Sequence, residues 1–575
     1  ERFRNGDPDN DPTPHDILLA DPGPAPDGWT VTKWTHDWYR QEDWASRTGN
    51  GFYTTSQHRR YGGDLQGVMD VLDYLQELGV TAVYFNPLND APSLHKYDAR
   101  NYRHIDRNFG PDPAGDEAIM AREIPQDPST WQWTSADSLF LRLVDEMHSR
   151  GMRVIVDYSW NHTGRSFWAW QDVVQEQEGS EFADWYEVAE YDDPTTPEDE
   201  FSYEGWAGVR SLPELRKVGV PEDFHGGPAE GDLNPGAKAL VLEVTRRWLD
   251  PNGDGDPSDG IDGFRLDVAE QVPLGFWRDY RDFVKAINPD AYLVGEIWWE
   301  QWPERMMDPR PYLGDVFDAV MNYRWYMPTR SLVSGAPPEL TPSRYVAHLD
   351  SVESGIPERT LRAMMNVAAT HDSPRLSTSL YNRGRYKYGV SPGGNPQYRV
   401  DRPDSTADRM KRLLLVQQFT YYGAPHIWYG DEVGMWGADD PDTRKPMLWP
   451  ELDYESEVVN PDGSLREPDV VEVDTSMLSF YQSLARIRSD FRDVLSRGEL
   501  HYVLVDDDSG LLGYERRLED RMLLVLLNVS NEERRVELAD VEGYRLLLAS
   551  VEDYPPEMQA NLVLPRRTAV IMEGL

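Results

Sequence analysis

Short apolar runs that alternate with amphipathic helical segments constrain the fold of this chain more than any other feature. TAVYFNP (81–87) and MRVIVD (152–157) have the length and composition of buried strands, and FLRLVDEMHSRG (140–151) between them has helical spacing. The alternation resumes after residue 238, and its further strand-like runs are GFRLD (263–267), YLVGE (292–296), VFDAVMNY (316–323), RAMMNVAATHD (362–372) and APHIWYGDE (424–432). This pattern predicts a parallel α/β sheet that is covered on both faces. We place seven strands, whereas closure into a (β/α)8 TIM barrel needs eight.

Two changes in composition and hydrophobic pattern divide the chain into predicted domains. About 75 residues rich in Trp, Pro, Glu and Gly interrupt the alternation and predict an inserted subdomain at 159–233, after the third barrel strand. The barrel would then occupy residues 1–158 and 234–498. From Glu499 onward, apolar runs separated by turns such as DDDSG predict a C-terminal antiparallel β-sandwich at 499–575.

Composition excludes several classes of partner. The 575 residues carry a formal net charge of -44, and a surface this negative repels phosphate backbones, so we expect no nucleic acid. No run approaches ~18 consecutive apolar residues, so we expect no membrane span, and the absence of cysteine excludes disulfides. The lysine-poor, acidic composition suits a high-salt environment and equally an acidic surface from a GC-rich genome. No signal-peptide pattern is present, so the sequence does not decide whether the protein is secreted, periplasmic or cytoplasmic.

Polar clusters stand at the ends of several predicted strands. These clusters are HKYD (95–98), DYSWNH (157–162), FRLD (264–267), GE (295–296) and THD (370–372). The carboxyl ends of barrel strands form one face, where catalytic groups converge. Each acid could instead cap the helix that follows it, but five such clusters favour a shared site. The 20 tryptophans and 30 tyrosines are typical of a carbohydrate binder, because sugar C–H faces stack on aromatic rings.

These segments resemble the α-amylase family, glycoside hydrolase family thirteen. Its four short signatures appear in order as VIVDYSWNH, GFRLD, VGEIW and ATHDSPR. The resemblance implies a retaining glycosidase in which Asp267 is the nucleophile, Glu296 the general acid/base and Asp372 the transition-state stabiliser. Such an enzyme needs one carboxyl to protonate the leaving oxygen and another, about 5–5.5 Å away, to attack carbon. Arg265, two residues before Asp267 on the same strand face, can keep that carboxylate ionised and oriented.

The same resemblance implies a set of substrate-binding side chains around the attacked glucose. His162 and His371 would hydrogen-bond its hydroxyls, and Tyr97 would stack on its ring. Trp298 would serve a neighbouring subsite or else be a packed aromatic residue. The full predicted set is His95, Tyr97, His162, Arg265, Trp298, His371, Asp440 and Arg444.

Further segments resemble the cyclomaltodextrinase and neopullulanase branch of the family. They are RRYGGDLQGV (59–68), HKYD and LDVAEQV after the nucleophile. Members of that branch cleave cyclodextrins, pullulan and starch fragments. Whether this chain forms a homodimer stays open. The alternatives are transfer to a sugar acceptor and a non-catalytic carbohydrate-binding relative. SLPELR (211–216) departs from the branch pattern at Arg216, where asparagine is usual.

The start of the chain resembles the loop that follows the first barrel strand in that branch. ERFRNGDP, at residues 1–8, carries this resemblance. We therefore expect the natural protein to extend upstream of Glu1, with the missing first strand there.

Two Asp-rich loops predict structural Ca²⁺, because hard oxygen donors in a tight loop suit this ion. The first lies at 5–11, and the branch resemblance adds the Gly62 carbonyl and Asp64. The second has the Asp-x-Asn-x-Asp-Gly start of an EF-hand loop, although Ile261 replaces the acid at its twelfth position. A solvated turn is the alternative for each loop. The predicted ligands are Asn5, Asp7, Asn10, Asp11, Gly62 and Asp64 in the first site and Asp250, Asn252, Asp254 and Asp256 in the second.

Overall fold

The computed structural model describes residues 1–20, 23–336, 339–537, 543–552, 554–555 and 561–575. Within these ranges all seven predicted parallel strands form. They are Ala82–Phe85, Arg153–Tyr158, Gly263–Leu266, Tyr292–Gly295, Ala319–Val320, Met365–Val367 and Ala424–His426. The first five pair in chain order, the last two pair with each other, and a parallel bridge from Met321 to Met365 joins the two groups. This is the strand order of a (β/α)8 barrel.

A cavity of about 1510 Å³ separates the first strand from the seventh. Residues 81–88 line one side of it, and residues 424–429 line the other. No pairing joins these two strands in the described part of the chain.

Helices with one apolar face cover the sheet. The helix Ser135–Ser149 begins at a capping box, in which Thr134 and Asp137 each accept the other's backbone N–H. Its apolar face includes the fully buried Leu143 and Val144, so burial of this face fixes the helix against the strands. The α-helices are Asp43–Arg47, Phe52–Thr55, Leu65–Met69, Leu72–Leu78, Pro113–Met120, Ser135–Ser149, Trp168–Glu176, Pro235–Leu249, Leu274–Ile287, Tyr323–Ser334, Pro342–Glu353, Glu358–Ala363, Leu376–Tyr381, Ser405–Thr420, Thr475–Asp490 and Arg492–Arg497.

The segment 159–233 carries little regular structure. It contains the helix Trp168–Glu176 and a short antiparallel pair, Lys217–Val218 with Asp232–Leu233. The buried Trp170 packs its ring edge against Tyr186, with ring centroids 4.8 Å apart. Aromatic packing of this kind holds an otherwise irregular segment together.

The C-terminal part is an antiparallel β domain, as predicted. Its five-stranded sheet contains, in spatial order, Glu499–Asp506, Leu511–Leu518, Arg521–Asn528, Thr568–Gly574 and Tyr544–Ala549. Arg534–Glu537 and Asn561–Leu564 form a second pair. The buried Arg516 joins this domain to the barrel, since it donates to the carbonyl of Thr420 at 2.7 Å.

Two further short antiparallel pairs lie outside both sheets. One joins Trp299–Gln301 to Arg305–Met306, and the other joins Glu457–Val459 to Leu465–Asp469. Across the described ranges, no helix is long and apolar enough to cross a membrane.

Candidate active site

Three acidic side chains from neighbouring strand ends meet around one guanidinium group. Arg265 Nη1 lies 2.6 Å from Asp267 Oδ1 and 3.0 Å from Asp157 Oδ2, and Arg265 Nη2 lies 2.9 Å from Glu296 Oε2. The register pairs Asp157 directly with Arg265 across the second and third strands. The parallel sheet therefore brings the predicted nucleophile and the predicted acid/base to the same cation, as the strand-end pattern indicated.

Burial and mutual repulsion govern the ionisation of this cluster. Burial raises the pKa of Asp267 well above its usual range, repulsion from Glu296 and Asp157 adds to the rise, and Arg265 opposes it. Burial is also the largest cause of the raised pKa of Asp157. Asp267 and Asp157 share one cation inside a buried site, so ionising both of them is costly.

Asp372 stands at the end of the sixth strand with a different electrostatic environment. Its carboxylate accepts from Arg444 Nη2 at 3.0 Å and lies 2.9 Å from His371 Nε2. Burial alone would raise the pKa of Asp372, but His371, Arg444 and Lys387 together hold it well below the usual range. Asp372 is therefore ionised at neutral pH.

Arg444 also connects Asp372 to the loop that follows the seventh strand. Arg444 Nε lies 2.8 Å from Asp440 Oδ1 and donates to the carbonyl of His371 at 3.1 Å. The structure thus brings the pair Asp440 and Arg444 next to Asp372, and the predicted role of the pair in binding substrate stays a prediction.

The ring of Tyr97 links both sides of the site. It stacks on His371, with centroids 5.8 Å apart, and on His95, at 5.9 Å. Its hydroxyl donates to Asp157 Oδ2 at 2.8 Å and lies 2.9 Å from His371 Nε2. Burial lowers the pKa of His95 to about 3, and the nearby Arg444 adds to this effect, so His95 is neutral.

Two predicted substrate residues have other surroundings. His162 is buried against Trp206, with rings 5.4 Å apart, and burial lowers its pKa to about 3. Trp298 is only 7% exposed and stacks flat on Tyr323, with centroids 3.9 Å apart. The substrate roles of His162 and Trp298 stay predictions.

Sequence reasoning missed four residues of the site. Tyr84 donates its hydroxyl proton to Asp157 Oδ2 at 2.8 Å, and Asn86 Nδ2 lies 3.0 Å from His371 Nδ1. Tyr84 and Asn86 lie two apart, so the period of a strand could have placed both on one face. Asp157 opens the DYSWNH cluster but was not assigned a role. Lys387, which bonds the carbonyl of Asp372 and Asp439 Oδ2, lies in a loop that gave no signal.

The first predicted metal loop gathers buried oxygen atoms. Asn5 Nδ2 donates to Asp11 Oδ1 at 2.8 Å. Asn5 Oδ1 and Asn10 Oδ1 are buried and lack a hydrogen-bond partner among the described residues. A Cβ on Gly62 would lie 1.8 Å from Asp11 Oδ1, so only glycine fits this close approach. Burial raises the pKa of Asp11 to about 6, and neighbouring acids add to the rise.

Several of the other predicted metal ligands accept hydrogen bonds, although Asp250 Oδ1 is buried without a partner among the described residues. Asp64 accepts from the backbone N–H groups of Gly67 at 2.6 Å and Asp7 at 2.9 Å. In the second loop, Asp250 accepts from Gly255 N at 3.1 Å and Asn252 from Asp254 N at 2.8 Å. Within the described ranges no three His, Cys, Asp or Glu side chains are grouped so as to hold a metal ion. Asn and carbonyl oxygens would have to contribute to any site.

Comparison with known proteins identifies the class and then the family. The barrel and its acidic cluster are those of a glycoside hydrolase, and the profile described as "Alpha amylase, catalytic domain" matches residues 1–121 and 134–498. The chain belongs to the α-amylase family.

Curated relatives agree with this assignment. Neopullulanase 2 of Thermoactinomyces vulgaris is 32% identical over 93% of this chain and 69% of its own length. A cyclomaltodextrinase of Geobacillus thermopakistaniensis is 31% identical over 82% of this chain and 63% of its own length. The chain therefore spans about two thirds of the length of these relatives.

Solved structures show the same fold. The ligand-free cyclic α-maltosyl-(1→6)-maltose hydrolase of Arthrobacter globiformis has a TM-score of 0.65 at 25% identity, over 100% of this chain and 96% of that chain. A cyclomaltodextrinase has a TM-score of 0.65 at 28% identity, over 100% of this chain and 76% of that chain. The predicted family, fold class and enzyme class are confirmed.

Proposed function

We propose that this chain hydrolyses α-1,4-glucosidic bonds in cyclodextrins, maltooligosaccharides, starch or pullulan, with retention of configuration. The observation that carries the proposal is the contact of Asp267 and Glu296 with the same Arg265 guanidinium, beside an ionised Asp372. The names of the relatives, neopullulanase and cyclomaltodextrinase, support this substrate class.

The reaction proceeds through a glycosyl ester on Asp267. In the first step an Asp267 oxygen attacks the anomeric carbon, Glu296 gives its proton to the glycosidic oxygen, and the leaving sugar departs with a hydroxyl group. In the second step water gives a proton to Glu296 and attacks the same carbon, which releases Asp267 as a carboxylate. Two inversions at one carbon give net retention.

The surrounding residues prepare both steps. Arg265 orients Asp267 and offsets its negative charge when the ester breaks. The backbone N–H of Val268 donates to Glu296 Oε2 at 3.1 Å and so fixes the acid/base beside the nucleophile. Asp372, held ionised by Arg444 and His371, stabilises positive charge on the distorted sugar ring in the transition state.

An assay of products tests the proposal. β-Cyclodextrin, pullulan and soluble starch should each be tested for release of reducing ends at low and high salt. Polarimetry of the fresh products should show the α anomer. Products that appear first as the β anomer would contradict the retaining mechanism, and inert substrates would contradict the hydrolase.

Transfer to a sugar acceptor is a second candidate, favoured by the exposed Trp302, which lies six residues after the acid/base in the chain. In transfer, a sugar hydroxyl replaces water in the second step. With maltotriose as substrate, hydrolysis gives glucose and maltose, whereas transfer gives longer oligosaccharides at early times.

We also propose that Ca²⁺ binds at the first Asp-rich loop. The oxygen atoms available to it are those of Asn5, Asn10, Asp11 and the Gly62 carbonyl, and two of them lack other partners among the described residues. The ion would join the loop at 5–11 to the segment at 62–64 and so stabilise the start of the barrel. The loop at 250–256 remains a sequence prediction.

We expect Ca²⁺ to raise the melting temperature by several degrees and a chelator to reverse the rise. Binding at about 100 times Kd contributes about 2.7 kcal/mol to stability. Without Ca²⁺, the raised pKa of Asp11, about 6, means that its contribution to stability falls as the pH rises through 6. Ca²⁺ needs the ionised form, so the Ca²⁺-dependent rise should vanish as the pH falls below about 6. Differential scanning calorimetry from pH 5 to 8 measures both effects.

Matched amide variants separate the two loops. Asp11→Asn should abolish the Ca²⁺-dependent rise, while Asp254→Asn should retain it. If neither Ca²⁺ nor chelator changes the melting temperature of the wild type, the first site is refuted.

A further inference from the structure

We propose that Trp302 is a stacking platform for a glucose ring beyond the cleaved bond, on the leaving-group side of the site. The inference rests on the proposed function. Trp302 lies in the turn of the hairpin formed by Trp299–Gln301 and Arg305–Met306, which begins three residues after Glu296. Trp302 is 52% exposed, so part of its large apolar surface is open to solvent and available to a ligand.

A continuous row of aromatic rings leads to Trp302 from Trp298, which lies two residues after the acid/base in the chain. Trp298 packs flat on Tyr323 at 3.9 Å and lies 5.2 Å from Trp299. Trp299 then meets Trp302 edge to face, with centroids 5.1 Å apart. The inner rings are fixed by packing, so the outer ring is presented on a rigid base and loses little conformational entropy on binding.

Lys387 holds this hairpin against the loop that follows Asp372. Its Nζ lies 5.2 Å from the centroid of Trp298 and 5.7 Å from that of Trp302. The same ammonium group donates to Asp439 Oδ2 at 2.6 Å and to the carbonyl of Asp372. The exposed ring is therefore placed relative to the catalytic acids by direct contacts rather than left on a free turn.

The chemistry of the first step decides which sugar the ring would hold. Glu296 must face the glycosidic oxygen, which leaves with the departing sugar. The segment directly after Glu296 consequently lies on the departing side. An exposed indole face matches the apolar C–H face of a glucose unit, so the occupant is a second or further glucose of the departing α-glucan chain.

Binding measured without turnover tests the platform. In the Glu296→Gln background, Trp302→Ala should weaken the Kd for maltoheptaose about fivefold to tenfold by calorimetry, whereas Trp302→Phe should retain most of the affinity. Trp133→Ala removes another exposed tryptophan, one that stacks on Arg247, and should leave Kd unchanged. Equal Kd values with and without Trp302 would overturn the proposal.

Activity gives a second readout that separates this inference from the proposed function. In an otherwise wild-type enzyme, Trp302→Ala should lower the ratio of kcat/KM for maltoheptaose to kcat/KM for maltotriose by a similar factor, and it should reduce early transfer products. An active wild type with an unchanged ratio in Trp302→Ala overturns the platform alone. A wild type inert towards both sugars overturns the hydrolase, and the calorimetric comparison still decides the platform.

Discussion

Asp267→Asn should lower kcat on soluble starch roughly ten-thousandfold or more. An amide cannot form the glycosyl ester, so the route through a covalent intermediate is closed. The residual activity of the variant reflects the contribution of the other site residues to substrate positioning and charge stabilisation. Single-turnover and steady-state assays of reducing-end release measure the loss.

Stability provides the control for this variant. The pKa of Asp267 in the folded protein lies above its ordinary value because of burial. The side chain therefore favours folding below pH about 3.9, and that contribution is lost as the pH rises. A neutral amide at this position avoids the cost of a buried charge, so Asp267→Asn should have an equal or higher melting temperature at pH 7. Wild-type starch hydrolysis by this variant would remove Asp267 from the mechanism.

A matched substitution elsewhere separates catalysis from general effects of charge. Asp279 is exposed and pairs with Lys238 at 2.6 Å, on a helix that covers the sheet. Asp279→Asn makes the same chemical change without touching the acidic cluster. Its starch activity should match that of the wild type.

The parts of the site that lie on strands were predictable from sequence. Arg265 and Asp267 are two residues apart, and period two places their side chains on one face of the strand. Glu296 ends the next strand, so the parallel sheet brings it to the same edge. The structure realises both inferences as contacts to one guanidinium group.

The contacts between loops were not predictable in this way. Lys387 reaches Asp372 and Asp439 from a loop that has no helical or strand period. The contact depends on how two long loops fold over the barrel, and no local pattern encodes that arrangement. Tyr97 reaches Asp157 across 60 residues of sequence for the same reason.

Strand lengths were overestimated where a cap ended the strand early. VFDAVMNY (316–323) predicted one strand, but the strand itself covers only Ala319–Val320, Met321 adds a single bridge, and a helix begins at Tyr323. The side chain of Asn322 accepts from Trp325 N and starts that helix. Apolar composition alone does not separate a buried strand from the buried first turn of a helix.

Glu296→Gln should lower kcat on maltotriose about a thousandfold, because proton transfer by a positioned acid contributes typically ~10²–10⁴-fold. Maltosyl fluoride should react with Asp267 at a rate much closer to that of the wild type, since fluoride leaves without a proton. The glycosyl ester should then accumulate, because no base activates water, and a burst of fluoride should precede slow turnover.

Azide needs no deprotonation and should restore turnover with maltosyl azide of α configuration as the product. A β azide, or no rescue at all, would assign the proton transfer to another residue than Glu296. The α product, by contrast, would establish from one variant both the ester on the opposite face of the sugar and the role of Glu296 in forming and cleaving it.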